Sequence, residues 1–145
     1  MLDECVTTCP WRTLWLVASV RTILVADDQE SFTRVVEMLV SVDGHEVVRV
    51  NDGREALDWL KEHTPDLAIL DVAMPHLTGI EVCERMKRVA RLKDVPVMIL
   101  TALRDDTTRA MARHARADAL VVKPLEGKDF RALVRRLLAG ESQEI

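Results

Sequence analysis

Apolar residues follow two alternating rhythms along this chain. Three short runs, Thr22-Ile-Leu-Val-Ala26, Leu67-Ala-Ile-Leu70 and Pro96-Val-Met-Ile-Leu100, have no polar interruption, and they stop at Asp27, Asp71 and Thr101. The β-branched segment Glu46–Val50 and the run Ala119–Val122, which stops at Lys123, read as two more strands. Between the strands, apolar positions recur at helical spacing. Phe32, Val35, Val36, Leu39 and Val42 mark one helix, Ala56, Leu57 and Leu60 a second, and Ile80, Cys83, Met86 and Leu92 a third. Asp105–Ala115 and Glu126–Leu138 complete the set. The punctuation agrees with this reading. Gly44 suits a helix C-cap, Asn51-Asp52-Gly53 a turn with a capping side chain, and Pro65 a helix stop. Five strands thus alternate with five helices. Strands without polar positions are covered on both faces, which implies a parallel sheet. The expected fold is α/β, a doubly wound five-stranded parallel sheet with five helices.

Composition narrows the function without naming it. The 145 residues include 20 Lys and Arg against 24 Asp and Glu, a net charge of −4 that argues against a nucleic-acid-binding module. The charge is uneven. Arg104–Arg136 holds nine basic and five acidic residues, +4, and leaves eleven and nineteen, −8, elsewhere. Three cysteines, Cys5, Cys9 and Cys83, make no disulfide framework and suit a reducing, cytoplasmic setting. No apolar run reaches the roughly 18 residues of a membrane span. Residues 1–20 read as an extension, loosely docked or disordered, ahead of a domain at 21–140; the apolar stretch Leu14–Val20 is too short for a signal peptide, and Asp3 and Glu4 stand where a basic start is needed.

A parallel sheet delivers the C-terminal ends of all its strands to one rim, where ligands bind. Here those ends carry Asp27-Asp28, Asp71, Thr101 and Lys123. Three carboxylates at about 5 Å, with an effective dielectric near 20, repel by about 3 kcal/mol per pair. Such a cluster takes up a proton or a cation. Oxygen ligands without His or Cys favour Mg²⁺, and the Lys and Thr suit phosphate oxygens, a combination typical of phosphoryl transfer. Any one of these residues alone would read as a cap or a solvated charge. Their joint occurrence at four strand ends points to chemistry.

Ile23-Leu-Val-Ala-Asp-Asp28, Leu70-Asp-Val-Ala-Met-Pro75 with Thr78-Gly79, Leu100-Thr101-Ala102 and Val122-Lys-Pro124 resemble the receiver domains of bacterial response regulators, most of all stand-alone, chemotaxis-regulator-like ones. The resemblance covers residues 21–138 and implies a flavodoxin-like strand order 2-1-3-4-5. It also implies that Asp71 accepts a phosphoryl group and that Mg²⁺ is held by Asp28, Asp71 and the Ala73 carbonyl, with Asp27 acting through water. Thr101, Ala102 and Lys123 are implied as phosphate-binding and switch positions, and the Lys123–Pro124 peptide as cis. A sensor histidine kinase or phosphotransfer protein would be the donor. A downstream protein would be the target, with no direct contact to nucleic acid or membrane, and a homodimer stays open. The protein would be a signalling switch, assisting only its own phosphotransfer and dephosphorylation. Two departures stand out: Leu120 replaces the family's frequent aromatic, and Arg116-Ala-Asp118 its usual Gly-Ala-Asp. The alternative is a phosphate-independent pseudo-receiver that only binds proteins. A hydrolase with an Asp nucleophile fits less well, because Ala73 stands where a second acid is needed. The basic segment suggests an output face formed by the fourth helix, fifth strand and fifth helix. On it Arg109, Arg113 and Arg116, and separately Arg131 and Arg135, would share a side and meet an acidic or phosphate-bearing partner, or else pair with Asp105, Asp106, Asp118 and Asp129.

Overall fold

A computed structural model describes residues 20–143 and 145. The extension expected over 1–20 falls outside them except for Val20, so Cys5 and Cys9 have no structural account. The elements run β1 (Thr22–Ala26), α1 (Glu30–Ser41), β2 (Glu46–Val50), α2 (Gly53–Leu60), β3 (Leu67–Asp71), α3 (Gly79–Arg88), β4 (Val97–Thr101), α4 (Asp106–His114), β5 (Ala119–Val122) and α5 (Gly127–Leu138). All four strand pairings are parallel and the order is β2-β1-β3-β4-β5. The expected doubly wound sheet is therefore present, with β1 and β3 adjacent at the point where strand order reverses.

Strand alternation divides the core in two. Leu24, Ala26, Ala68 and Leu70 point to one face and pack under α2, α3 and α4 through Ala56, Leu60, Ile80, Cys83, Met86 and Ala112. Ile23, Val25, Leu67 and Ile69 point to the other and meet Val36 and Val40 of α1 and Phe130, Val134 and Leu137 of α5. β3 and β4 are buried along their whole lengths, which explains why their sequences are apolar up to the Asp71 and Thr101 that end them.

The helices differ from their predicted stripes in detail. α1 buries Thr33, Val36 and Val40, whereas Val35 and Val42 are exposed. Thr33 fits the core because its hydroxyl donates to the Gln29 carbonyl. α3 stops at Arg88, so Leu92 lies beyond it in a turn, yet it is buried. The Lys87 ammonium fastens this turn by donating to the carbonyls of Lys93 and Val95. Three helix starts carry side-chain caps, Asp52, Thr78 and Asp105, each accepting the N–H three residues on. The Lys123–Pro124 peptide is cis.

Candidate functional site

The rim at the C-terminal ends of β1, β3, β4 and β5 gathers the residues that the sequence singled out. Asp27 follows β1, and its N–H donates to the Val50 carbonyl, continuing the β1–β2 pairing by one residue. That turns its side chain inward, and Asp27 is 2% exposed. Asp28 beside it faces solvent. Asp71 ends β3 and is buried. One oxygen from each of the three carboxylates lies within 4.8 Å of the other two.

Lys123 crosses from the end of β5 to meet them. Its ammonium donates to Asp71 Oδ2 at 2.9 Å and to Asp27 Oδ2 at 3.2 Å. The other oxygens are held by backbone: Asp27 Oδ1 accepts the Gln29 N–H at 2.9 Å, and Asp71 Oδ1 accepts the Ala73 N–H at 3.2 Å. Thr101 is buried at the end of β4, its hydroxyl accepting the Leu103 N–H and its carbonyl accepting the Lys123 N–H. Ala73, Ala102 and Leu103 are exposed around the mouth. Leu120 sits farther back, half-buried against the core.

The electrostatics follow from this packing. Burial, reinforced by the charge of Asp71, raises the Asp27 carboxyl above its ordinary value, despite the Gln29 N–H and the Lys123 ammonium. Burial would lower Lys123, but hydrogen bonding and attraction from Asp71 and Asp27 outweigh it and raise the ammonium. One ammonium serves three carboxylates, so the pocket keeps a net negative charge. A donor set of hard oxygens with uncompensated charge fits Mg²⁺.

Two contacts at the site were not anticipated. The Lys123 ammonium lies over the Phe32 ring of α1, 4.0 Å from its centroid, a cation–π contact. The only sequence signal was an aromatic opening the helix just after Asp27-Asp28, in a chain with two Phe in all. Gly79 abuts Asp71: a Cβ there would lie 2.4 Å from the Asp71 carbonyl oxygen. The start of α3 can approach β3 only because this residue has no side chain.

The expected arginine face needs correction. Arg116 lies past the end of α4 at φ 66°, off the helical face of Arg109 and Arg113. Arg131 and Arg135 turn away from β5 and both donate to Asp43 Oδ1 after α1, at 3.0 and 3.3 Å. The suggested pairings do not form among the described residues either. Asp118 instead takes Lys87 at 2.9 Å, and Asp105 caps α4. Helical spacing correctly grouped Arg131 with Arg135, but it could not say which neighbour their side faces.

Comparison with known proteins agrees with the fold. The sequence profile of the response regulator receiver domain matches residues 23–135, and the chain belongs to that family. It is 39% identical over 116 residues to a probable transcriptional regulator, ycf27, of Porphyridium aerugineum, covering 80% of this chain and 47% of that one. Among solved structures, the signal receiver domain of a histidine kinase from Syntrophus aciditrophicus superposes with a TM-score of 0.78 at 30% identity, covering 86% of this chain and 96% of that one. The chemotaxis protein CheY4 of Vibrio cholerae gives 0.77 at 27%, covering 82% and 99%. The chain spans about half the length of the curated relatives it matches. The expected absence of direct contact to nucleic acid finds no support in these relatives, several of which are named as transcriptional regulators. Among the described residues, no helix is long and apolar enough to cross a membrane.

Proposed function

We propose that this protein is a phosphorylatable switch in which Asp71 accepts a phosphoryl group from a phosphohistidine of a sensor kinase or phosphotransfer protein. A carboxylate oxygen of Asp71 attacks phosphorus, the P–N bond breaks as the P–O bond forms, and the imidazole leaves. Asp28, Asp71 and the Ala73 carbonyl would hold Mg²⁺, with Asp27 assisting through water; the ion would neutralise charge on the transferring oxygens. Lys123 then exchanges its bond to Asp71 for one to a phosphoryl oxygen. Thr101 and the backbone at Ala102 face the same group from β4. The product is an altered surface that a partner protein reads, and no metabolite is turned over.

The observation that carries this reading is the Lys123 ammonium held between two buried carboxylates, with a third at the rim. Such a cluster is costly as a structural device alone. The test is intact mass after incubation with acetyl phosphate and Mg²⁺. The wild-type chain should gain one phosphoryl mass, whereas Asp71→Asn and samples with a chelator should gain none. Equal labelling of Asp71→Asn would overturn the assignment. The substitution of Leu120 for an aromatic favours a second reading, a pseudo-receiver that binds partners without phosphate. Absence of labelling in the wild-type chain would select it.

A further inference from the structure

β5 is the edge strand of the sheet, so its outer backbone groups need a cover. The segment that follows α5 supplies it. After Gly140, at φ 90°, the chain turns back. The Gln143 N–H donates to the Asp118 carbonyl at 2.8 Å, and the Leu120 N–H donates to Gln143 Oε1 at 2.9 Å. In a parallel ladder one residue donates its N–H to the partner strand and accepts the N–H two residues further on. Gln143 does both against β5, with its side-chain carbonyl replacing the backbone one. It is a single residue imitating a sixth strand.

The segment is fastened on both sides. Glu141 pairs with Arg136 of α5 at 3.6 Å, Ser142 donates to Asp118 Oδ1 at 3.2 Å, and the Ile145 carbonyl accepts from Arg113 Nε of α4 at 3.0 Å. Its described residues therefore touch α5, the edge of β5 and α4, and they meet two arginines of the basic stretch. Beneath it runs a groove of about 420 Å³ whose lining includes Leu120, Leu125, Phe130, Leu133 and Gln143.

We propose that residues 141–143 are a polar strap, carrying one carboxylate at Glu141, that occupies the α4–β5–α5 face in the resting protein, and that loading Asp71 releases it so that an extended partner segment with a carboxylate at the same place can take its position. The strap shows which chemistry the face accepts: a carboxylate at Arg136 and an amide or backbone group at the edge of β5. The link to the site is short. β5 has four residues, and Leu120 is three positions from Lys123. The inner edge of the strand is tied to the site by the Lys123 N–H to the Thr101 carbonyl, and its outer edge to Gln143. Drawing Lys123 and Thr101 toward a phosphoryl group moves the backbone that Gln143 grips. With Leu120 in place of an aromatic ring, the strap is the part that can report this motion. Release rests on the phosphoacceptor reading, whereas closure in the resting protein does not.

Amide hydrogen exchange of Leu120, followed by NMR in the full chain, tests both steps. In the unmodified protein Leu120 should exchange at least about tenfold more slowly than in Gln143→Ala, with β4 amides unchanged as a control of folding. Equal exchange in the two proteins would show that the strap is not closed and would overturn the proposal. After acetyl phosphate and Mg²⁺, with phosphoryl uptake verified by mass, wild-type Leu120 should speed up toward the variant. Verified uptake with Leu120 unchanged would overturn release while leaving the phosphoacceptor reading intact. No uptake would overturn that reading and release together, and closure would still be read from the unmodified pair.

Discussion

Lys123 carries much of the site, because among the described residues its ammonium is the cation paired with the two buried carboxylates, Asp27 and Asp71. Removing one partner of a buried ion pair leaves the other unpaired, at a cost of roughly 3–5 kcal/mol. Lys123 is 16% exposed and Asp71 6%, so screening is small. Lys123→Met should therefore lower Tm by several degrees in the presence of a chelator. Adding Mg²⁺ should restore more of the loss than it adds to the wild-type Tm, since a cation then takes over the neutralisation. An identical loss with and without Mg²⁺ would mean that the carboxylates do not share a cation. The sign with pH is set by the raised Lys123 value: its contribution is complete below the unfolded value and fades as pH climbs through the higher folded one, so neutral pH shows the full effect. Asp43 runs the other way. Burial works against ionisation there, but hydrogen bonds from Arg131 and Arg135 outweigh it and lower the carboxyl. That contribution is present above the unfolded value of 3.8 and is lost as pH falls through the lower folded one. Asp43→Asn should cost about 1 kcal/mol at neutral pH, and the gap between the two melting curves should close in acid. A gap independent of pH would remove Asp43 from the account.

At the scale of elements, β1, β3 and β4 were legible because each reads as a nearly unbroken apolar run, and a run covered on both faces has little freedom to be anything else; β2 was legible from its β-branched residues instead. Helix faces were less legible. The α1 pattern counted Val35 and Val42 but not Thr33, because a buried hydroxyl satisfied by its own backbone carries no hydropathy signal. The helix ends held a larger surprise. α2 is eight residues long with no basic residue in its last turn, and its C-terminal carbonyls are capped from outside. Arg91, in the turn after α3, donates to the Leu60 carbonyl, and to the His63 carbonyl at 2.9 Å. It also reaches the Thr64 hydroxyl. No local pattern could reveal this, since the partners stand about thirty positions apart. A guanidinium favours a helix C-terminus through both donors and charge. Arg91→Ala should lower stability by about 1–2 kcal/mol without changing phosphoryl uptake, and Arg91→Lys should recover only part, because an ammonium lacks the fork. Full recovery by Lys would assign the effect to charge alone.

At the scale of the whole molecule, the candidate site was legible for the same reason as the sheet: once the strands are parallel, their ends must meet, and the five polar residues at those ends come together on one rim. The distribution of surface charge was not legible, because it depends on which helix packs beside which. The α1–α5 contact turns Arg131 and Arg135 toward Asp43, and the chain beyond α5 folds back onto β5. The other end of the chain invites a sharper expectation. Three ties fix where the sheet begins: the Thr22 N–H donates to Asp66 Oδ2 at 2.8 Å, the Arg21 carbonyl accepts the Glu46 N–H at 2.9 Å, and the Arg21 guanidinium reaches Asp66 at 3.9 Å. Val20 just before them is 49% exposed. Among the described residues, every group of the acidic rim and both halves of the core lie within residues 21–138. A chain begun at Arg21 should therefore melt within a few degrees of the full chain and take up phosphoryl to the same extent. A chain begun at Ile23 should lose roughly 2–4 kcal/mol, because the Asp66 carboxylate and the Glu46 N–H lose their partners where β1 joins β2 and β3. If the Arg21 chain is also strongly destabilised, the apolar stretch Leu14–Val20 is an integral part of the fold rather than an appendage.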